Sequence, residues 1–121
     1  MARVANREMG AHTAAREEFT NNNGTCFGRL WYGDRYAVFS YGHHWPLVIF
    51  DRDAGWFYNS DKYSNTTSRH LSHCLSMIRH CAKPLDSESM IDFVTSESYS
   101  QFVAKKLTRP KSTNTFEEAR P

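Results

Sequence analysis

Apolar and polar positions change their period along the chain, and the change separates a strand-like centre from helix-like flanks. Phe27 to Tyr32 runs into Gly33-Asp34, a two-residue loop of the kind that closes hairpins. Arg35 to Tyr41 follows, with Ala37, Phe39 and Tyr41 on one face and Tyr36, Val38 and Ser40 on the other. An uncharged pattern on both faces predicts a central, buried strand. Gly42-His43-His44-Trp45-Pro46 makes the next turn, and Leu47 to Phe50 is a continuous apolar run suited to a strand covered on both sides. Asp51 to Gly55 is a turn cluster, after which Trp56-Phe57-Tyr58 completes an antiparallel meander.

A sheet of this size needs a cover. The spacing predicts it as a helix over 67–82, where Leu71, Cys74, Leu75 and Ile78 share one stripe and Lys83-Pro84 ends the run. Thr66 or Thr67 is its expected N-cap. Residues 1–19 read as a surface helix with a thin apolar stripe, stopped by Thr20 to Gly24. Beyond Pro84, Asp86 caps a helical segment over 86–107 that is either one helix or two. Residues 108–121 read as a flexible basic tail. The expected fold is a single α+β domain over residues 1–107: a three- to four-stranded antiparallel sheet at about 27–59, packed against a central helix, with flanking helices.

Composition narrows the class without naming a chemistry. A 121-residue chain has room for one modest core. The net charge of +2 and a mean hydropathy of -0.66 describe a well-solvated, mildly basic domain. That permits nucleic-acid contact but lacks the dense patch of a dedicated binder. Three cysteines cannot all pair within one chain, and no signal-like or membrane-length apolar run occurs. An intracellular, reduced protein with no membrane contact is expected.

Two clusters are candidates for binding. At the start of the predicted helix, Lys62, Tyr63, Ser64, Thr66, Thr67, Arg69 and His70 bring hydroxyls and positive charge to a helix N-terminus. Unpaired backbone donors and the macrodipole favour an anion there. The plainer alternative is that these residues only cap the helix. The second cluster is aromatic and basic: Tyr41, His43, His44, Trp45, Arg52 and Trp56, within a centre that holds twelve of the chain's seventeen aromatic residues. Together with Tyr32, Tyr36, Tyr58, Arg29 and Arg35 these residues offer stacking surfaces for single-stranded bases, although most aromatics of a small sheet belong to its core.

Catalytic and metal signatures are weak. His70 and Cys74 stand one helical turn apart and are able to chelate zinc, but Cys74 and Cys81 lie two turns apart, about 10 Å along a helix, too far to share an ion. No CxxC, P-loop, GxSxG or HExxH is present. We expect neither enzyme activity, nor a metal, nor a cofactor.

Tyr36-Ala37-Val38-Phe39-Ser40-Tyr41-Gly42-His43-His44-Trp45-Pro46, then Gly55-Trp56, Asn59 and Asp61 to His70, together with Arg3 to Arg7, carry a resemblance. The chain resembles an uncharacterised family of small proteins of tailed phages and prophages. The likeness covers about half of the chain and excludes the segment after Pro84. It implies no established activity. It does imply a non-catalytic phage accessory protein, in the cytoplasm of an infected bacterial host, that binds and inhibits a host protein machine, a counter-defence factor of the anti-CRISPR-like kind. The alternative is a nucleic-acid or nucleotide-phosphate binder that uses Thr66/Thr67 and exposed aromatics. A homodimer is compatible with either.

Overall fold

The computed structural model describes residues 2–31, 34–43, 45–62 and 64–108. The centre follows the polarity pattern: β3 (Cys26–Trp31), β4 (Arg35–Ser40), β5 (Pro46–Asp51) and β6 (Gly55–Asn59) form the antiparallel meander. The sheet does not stop there. Three short strands, β1 (Ala2–Val4), β2 (Phe19–Asn21) and β7 (Lys83–Leu85), extend it to seven in the order β1 to β7. β1 pairs with β2 and β6 with β7 in parallel. The expected three- to four-stranded antiparallel meander is therefore corrected to a seven-stranded mixed sheet. A three-residue strand is too short to show a period of two, and Pro84 argues against a strand everywhere except at an edge, where β7 lies.

The two parallel pairs dictate where the first helices go. A turn of 3-10 helix (Asn6–Glu8) and α1 (Met9–Ala14) connect β1 to β2, while α2 (Asn65–Leu75) connects β6 to β7. β2 and β6 run the same way, because an even number of antiparallel steps separates them. Both crossovers also step in the same direction across the sheet. Right-handed connection then sends both to one face, and Met9 of α1 joins Cys74 and Leu75 of α2 in a core with Tyr36, Val38 and Val48. α1 and α2 approach closely: a Cβ on Gly10 would fall 2.1 Å from Ser76 Oγ and 2.7 Å from the His73 carbonyl oxygen.

The opposite face carries a second core of Ala37, Phe39, Ile49 and Phe57 against Met90, Phe93 and Val94 of α3 (Ser87–Thr95) and Phe102 of α4 (Tyr99–Thr108). The sheet is thus covered on both faces. β4 is central and buried throughout, as its pattern requires. A bulge at Val38/Phe39 inserts Leu47, which joins Val48 in the first core.

Helix boundaries depart from expectation in informative ways. The surface helix over residues 1–19 becomes β1, a tight turn, six residues of α1 and β2, because Val4, Met9 and Phe19 are all buried. The N-cap of α2 is Ser64, whose Oγ accepts from Thr67 N at 3.1 Å, and not Thr66 or Thr67. α2 ends at Leu75, short of Ala82, and the chain continues through turns that return it to β7. Asp86 does cap α3, accepting from Ser89 N at 2.7 Å. The segment after it is two helices.

Candidate binding site

The side chains of the helix start divide between cap, interior and solvent. Ser64 is spent on the cap. Thr67 and His70 turn inward, where Ser40 Oγ lies 3.1 Å from Thr67 Oγ1 and 3.0 Å from His70 Nδ1, all three residues being buried. This polar triad ties α2 to the end of β4. Burial, followed by the charges of His73 and Arg69, holds the His70 imidazole below its usual range, so it is neutral near pH 7. Lys62, Thr66 and Arg69 are exposed; Tyr63 lies outside the described residues. Cys74, the other half of the imagined zinc pair, is buried beside Cys26, whose thiol is pushed up by its hydrogen bond to Cys74 and by burial. Among the described residues, no group of three or more His, Cys, Asp or Glu side chains converges to hold a metal.

The aromatic and basic cluster divides between the faces of the sheet. His43 packs on Phe27, Phe39 and Trp31, with ring centroids 5.1, 4.9 and 5.7 Å apart, on the α3 face. Trp45 packs against the α1/α2 core. Tyr41, in a left-handed conformation (φ 59°), lies 5.9 Å from the His70 ring. His44 lies outside the described residues. Arg52 and Trp56 belong elsewhere, at the end of the sheet where the β3–β4 and β5–β6 hairpins turn.

At that end the fold assembles a site. Leu30, Tyr36, Phe50 and Trp56 are direct partners on β3, β4, β5 and β6, so they form one row on the α1/α2 face. Phe50 and Trp56 rings lie 4.8 Å apart. An open cleft of about 650 Å³ lies over the Leu30 end of this row, lined also by Arg16, Trp31, Asp34, Arg35 and Arg52. Leu30 is 63% exposed at its rim. Arg16 follows α1 in a left-handed conformation (φ 56°) that carries its guanidinium over the Phe50 ring, 4.5 Å from the centroid. Arg52 Nη1 donates to Asp34 Oδ2 at 3.1 Å, an exposed pair that a stronger anion can compete for.

Arg35 has a different task. It is buried and donates to the carbonyls of Phe93 and Ser96, while Trp31 Nε1 donates to the Val94 carbonyl at 2.9 Å. These bonds supply donors to the carbonyls at the C-terminus of α3, where positive charge is favoured; the Phe93 carbonyl also accepts from Ser96 N at 3.2 Å. The cleft wall is thereby held to the opposite layer. Its floor is equally constrained: Tyr36 Oη donates to the Glu17 carbonyl at 2.8 Å, and burial pushes the phenol well above its usual range, keeping it a neutral donor.

Of the residues singled out from sequence, Arg35, Tyr36 and Arg52 line the cleft, with Trp56 beside it. Arg16 gave no sequence signal, because it sits in a helix-like run and reaches Phe50 only through the turn after α1.

Among the described residues, no helix is long and apolar enough to cross a membrane. Neither the curated proteins nor the solved structures contain a significant match to the chain. Residues 7–93 match the sequence model of a family of unknown function, DUF8033. The match runs from the 3-10 turn into α3, past the Pro84 boundary drawn from the sequence, and leaves α4 outside. The chain belongs to the DUF8033 family, whose function is unknown.

Proposed function

We propose that this is a non-catalytic binding protein whose cleft receives a phosphate-bearing, planar ligand of the nucleotide or nucleic-acid class. The observation that supports this reading is the placement of Arg16 and Arg52 on an open cleft floored by Tyr36 and Phe50. Guanidinium groups recognise phosphate through paired N–H donors. A ring or guanidinium plane accepts a base by stacking, at about 1–3 kcal/mol per base. The cavity of about 650 Å³ suits a small ligand rather than a water cluster. Arg35 contributes shape, its charge being engaged with α3.

Calorimetric titration with nucleoside monophosphates and short oligonucleotides at low salt tests the reading. Arg16→Ala and Arg52→Ala each weaken binding about tenfold, equivalent to roughly 1.4 kcal/mol. Asp34→Asn strengthens it by releasing Arg52, and Lys62→Ala at the helix start leaves it unchanged. Wild-type affinity in both arginine variants, or no binding of either ligand class, would refute it.

A second reading is that of a phage accessory protein that binds and inhibits a host protein machine in the bacterial cytoplasm, in counter-defence. It draws on α4, which lies beyond the family match and leaves Leu107 80% exposed. A lysate partner that survives nuclease and is lost with Leu107→Asp supports this second reading; partners lost on nuclease treatment count against it.

A further inference from the structure

The cleft and the aromatic row are not the same size, and the difference bears on the ligand. Leu30, Tyr36 and Phe50 line the cleft; Trp56 continues the row outside it, half-buried on the same face. Adjacent strands lie about 4.8 Å apart, so four strands carry the row roughly 14 Å across the sheet. A mononucleotide held at Arg16 and Arg52 fills the cleft and has no use for Trp56. A chain of nucleotides leaving the cleft over Phe50 meets Trp56 next, its ring centroid 4.8 Å from that of Phe50.

Resting on the binding reading above, we infer that the ligand is a single-stranded oligonucleotide of roughly two to four nucleotides, stacked along this row. One base lies against the Arg16 guanidinium over Phe50, and the following base lies against Trp56. Arg52, at the β5–β6 turn, takes a phosphate. The cleft is open rather than enclosed, and Phe50 in its lining is followed along the row by half-buried Trp56. A duplex keeps its bases stacked on one another and presents no free face to either ring.

Oligo-U and oligo-dT of one to eight nucleotides, a uridine monophosphate control and a blunt duplex are titrated against the full chain and its Trp56 variants by calorimetry. Affinity rises with length, levels off at about four nucleotides, and exceeds that for the duplex. Trp56→Ala weakens the longer single strands about tenfold and leaves the monophosphate unaffected, and Trp56→Phe restores most of the loss. The rescue separates a lost stacking surface from a lost fold. If the monophosphate binds as tightly as the oligomers, or if Trp56→Ala weakens both alike, the strand inference is overturned while the cleft remains a nucleotide site. If nothing binds, the cleft reading itself falls. Oligo-dU set beside oligo-U, from which it differs in the 2′-hydroxyl alone, decides between RNA and DNA.

Discussion

Gly28→Ala tests the packing beneath the cleft most directly. Gly28 lies on β3 opposite Val38, where a Cβ would stand 2.2 Å from Tyr36 Oη and 2.7 Å from Phe19 Cε2. Ordinary contacts of this kind are about 3.5 Å, so the phenol must retreat by over about 1 Å or the strand must shift. Retreat stretches the 2.8 Å bond to the Glu17 carbonyl beyond hydrogen-bonding range. Losing that bond costs about 1 kcal/mol, with up to roughly 2 more if the carbonyl is left dry. Crowding against fully buried Phe19 adds about 1–3 kcal/mol. Restricting the unfolded chain returns about 0.4–1 kcal/mol. The net is a destabilisation of about 1–5 kcal/mol, a large share of a small domain's stability. Urea unfolding followed by tryptophan fluorescence reads it. Combining the substitution with Tyr36→Phe removes the 2.2 Å clash and should recover part of the loss, a coupling that a double-mutant cycle isolates. Stability equal to or above wild type in Gly28→Ala alone would refute the argument.

His70 supplies a pH dependence. Its imidazole is held below the ordinary 6.5 by burial and nearby charge, so above pH 6.5 both folded and unfolded states are neutral there and its contribution is intact. As pH falls below 6.5 the unfolded state takes the proton first, and stability declines until the folded-state value is passed. His70→Asn removes this component, so the difference in urea midpoint between wild type and variant should narrow from pH 7 to pH 5; a constant difference contradicts it. Arg35→Met removes the guanidinium donor from the Ser96 carbonyl and leaves the Phe93 carbonyl with the Ser96 N–H, and is expected to cost about 2–4 kcal/mol. Hydrogen exchange should rise first in α4, whose Phe102 rests on Phe93 at 4.7 Å; a change within about 0.5 kcal/mol would count against this clamp.

The sequence by itself determined the meander. β3 to β6 announce themselves by alternation, short apolar runs and turn residues, all local signals that act over a few positions. Asp86 as a cap is local in the same sense. Tertiary structure decided the edges of the sheet. Ala2–Val4 and Lys83–Leu85 become strands because β2 and β6 offer unpaired backbone to them, and no three-residue pattern encodes a neighbour that distant. Tertiary packing also shortened α2 to Leu75, because the chain must still return to pair with β6. Hydroxyls that look alike at 64, 66 and 67 acquired separate roles once β4 placed Ser40 beneath Thr67 and His70. The cleft is the clearest case. Arg52 and Trp56 could be marked as a basic and an aromatic residue, yet their side of the sheet depends on register. Arg16 reaches Phe50 only because the crossover from β1 to β2 lies on that same face, a consequence of connection handedness and not of any residue near Arg16.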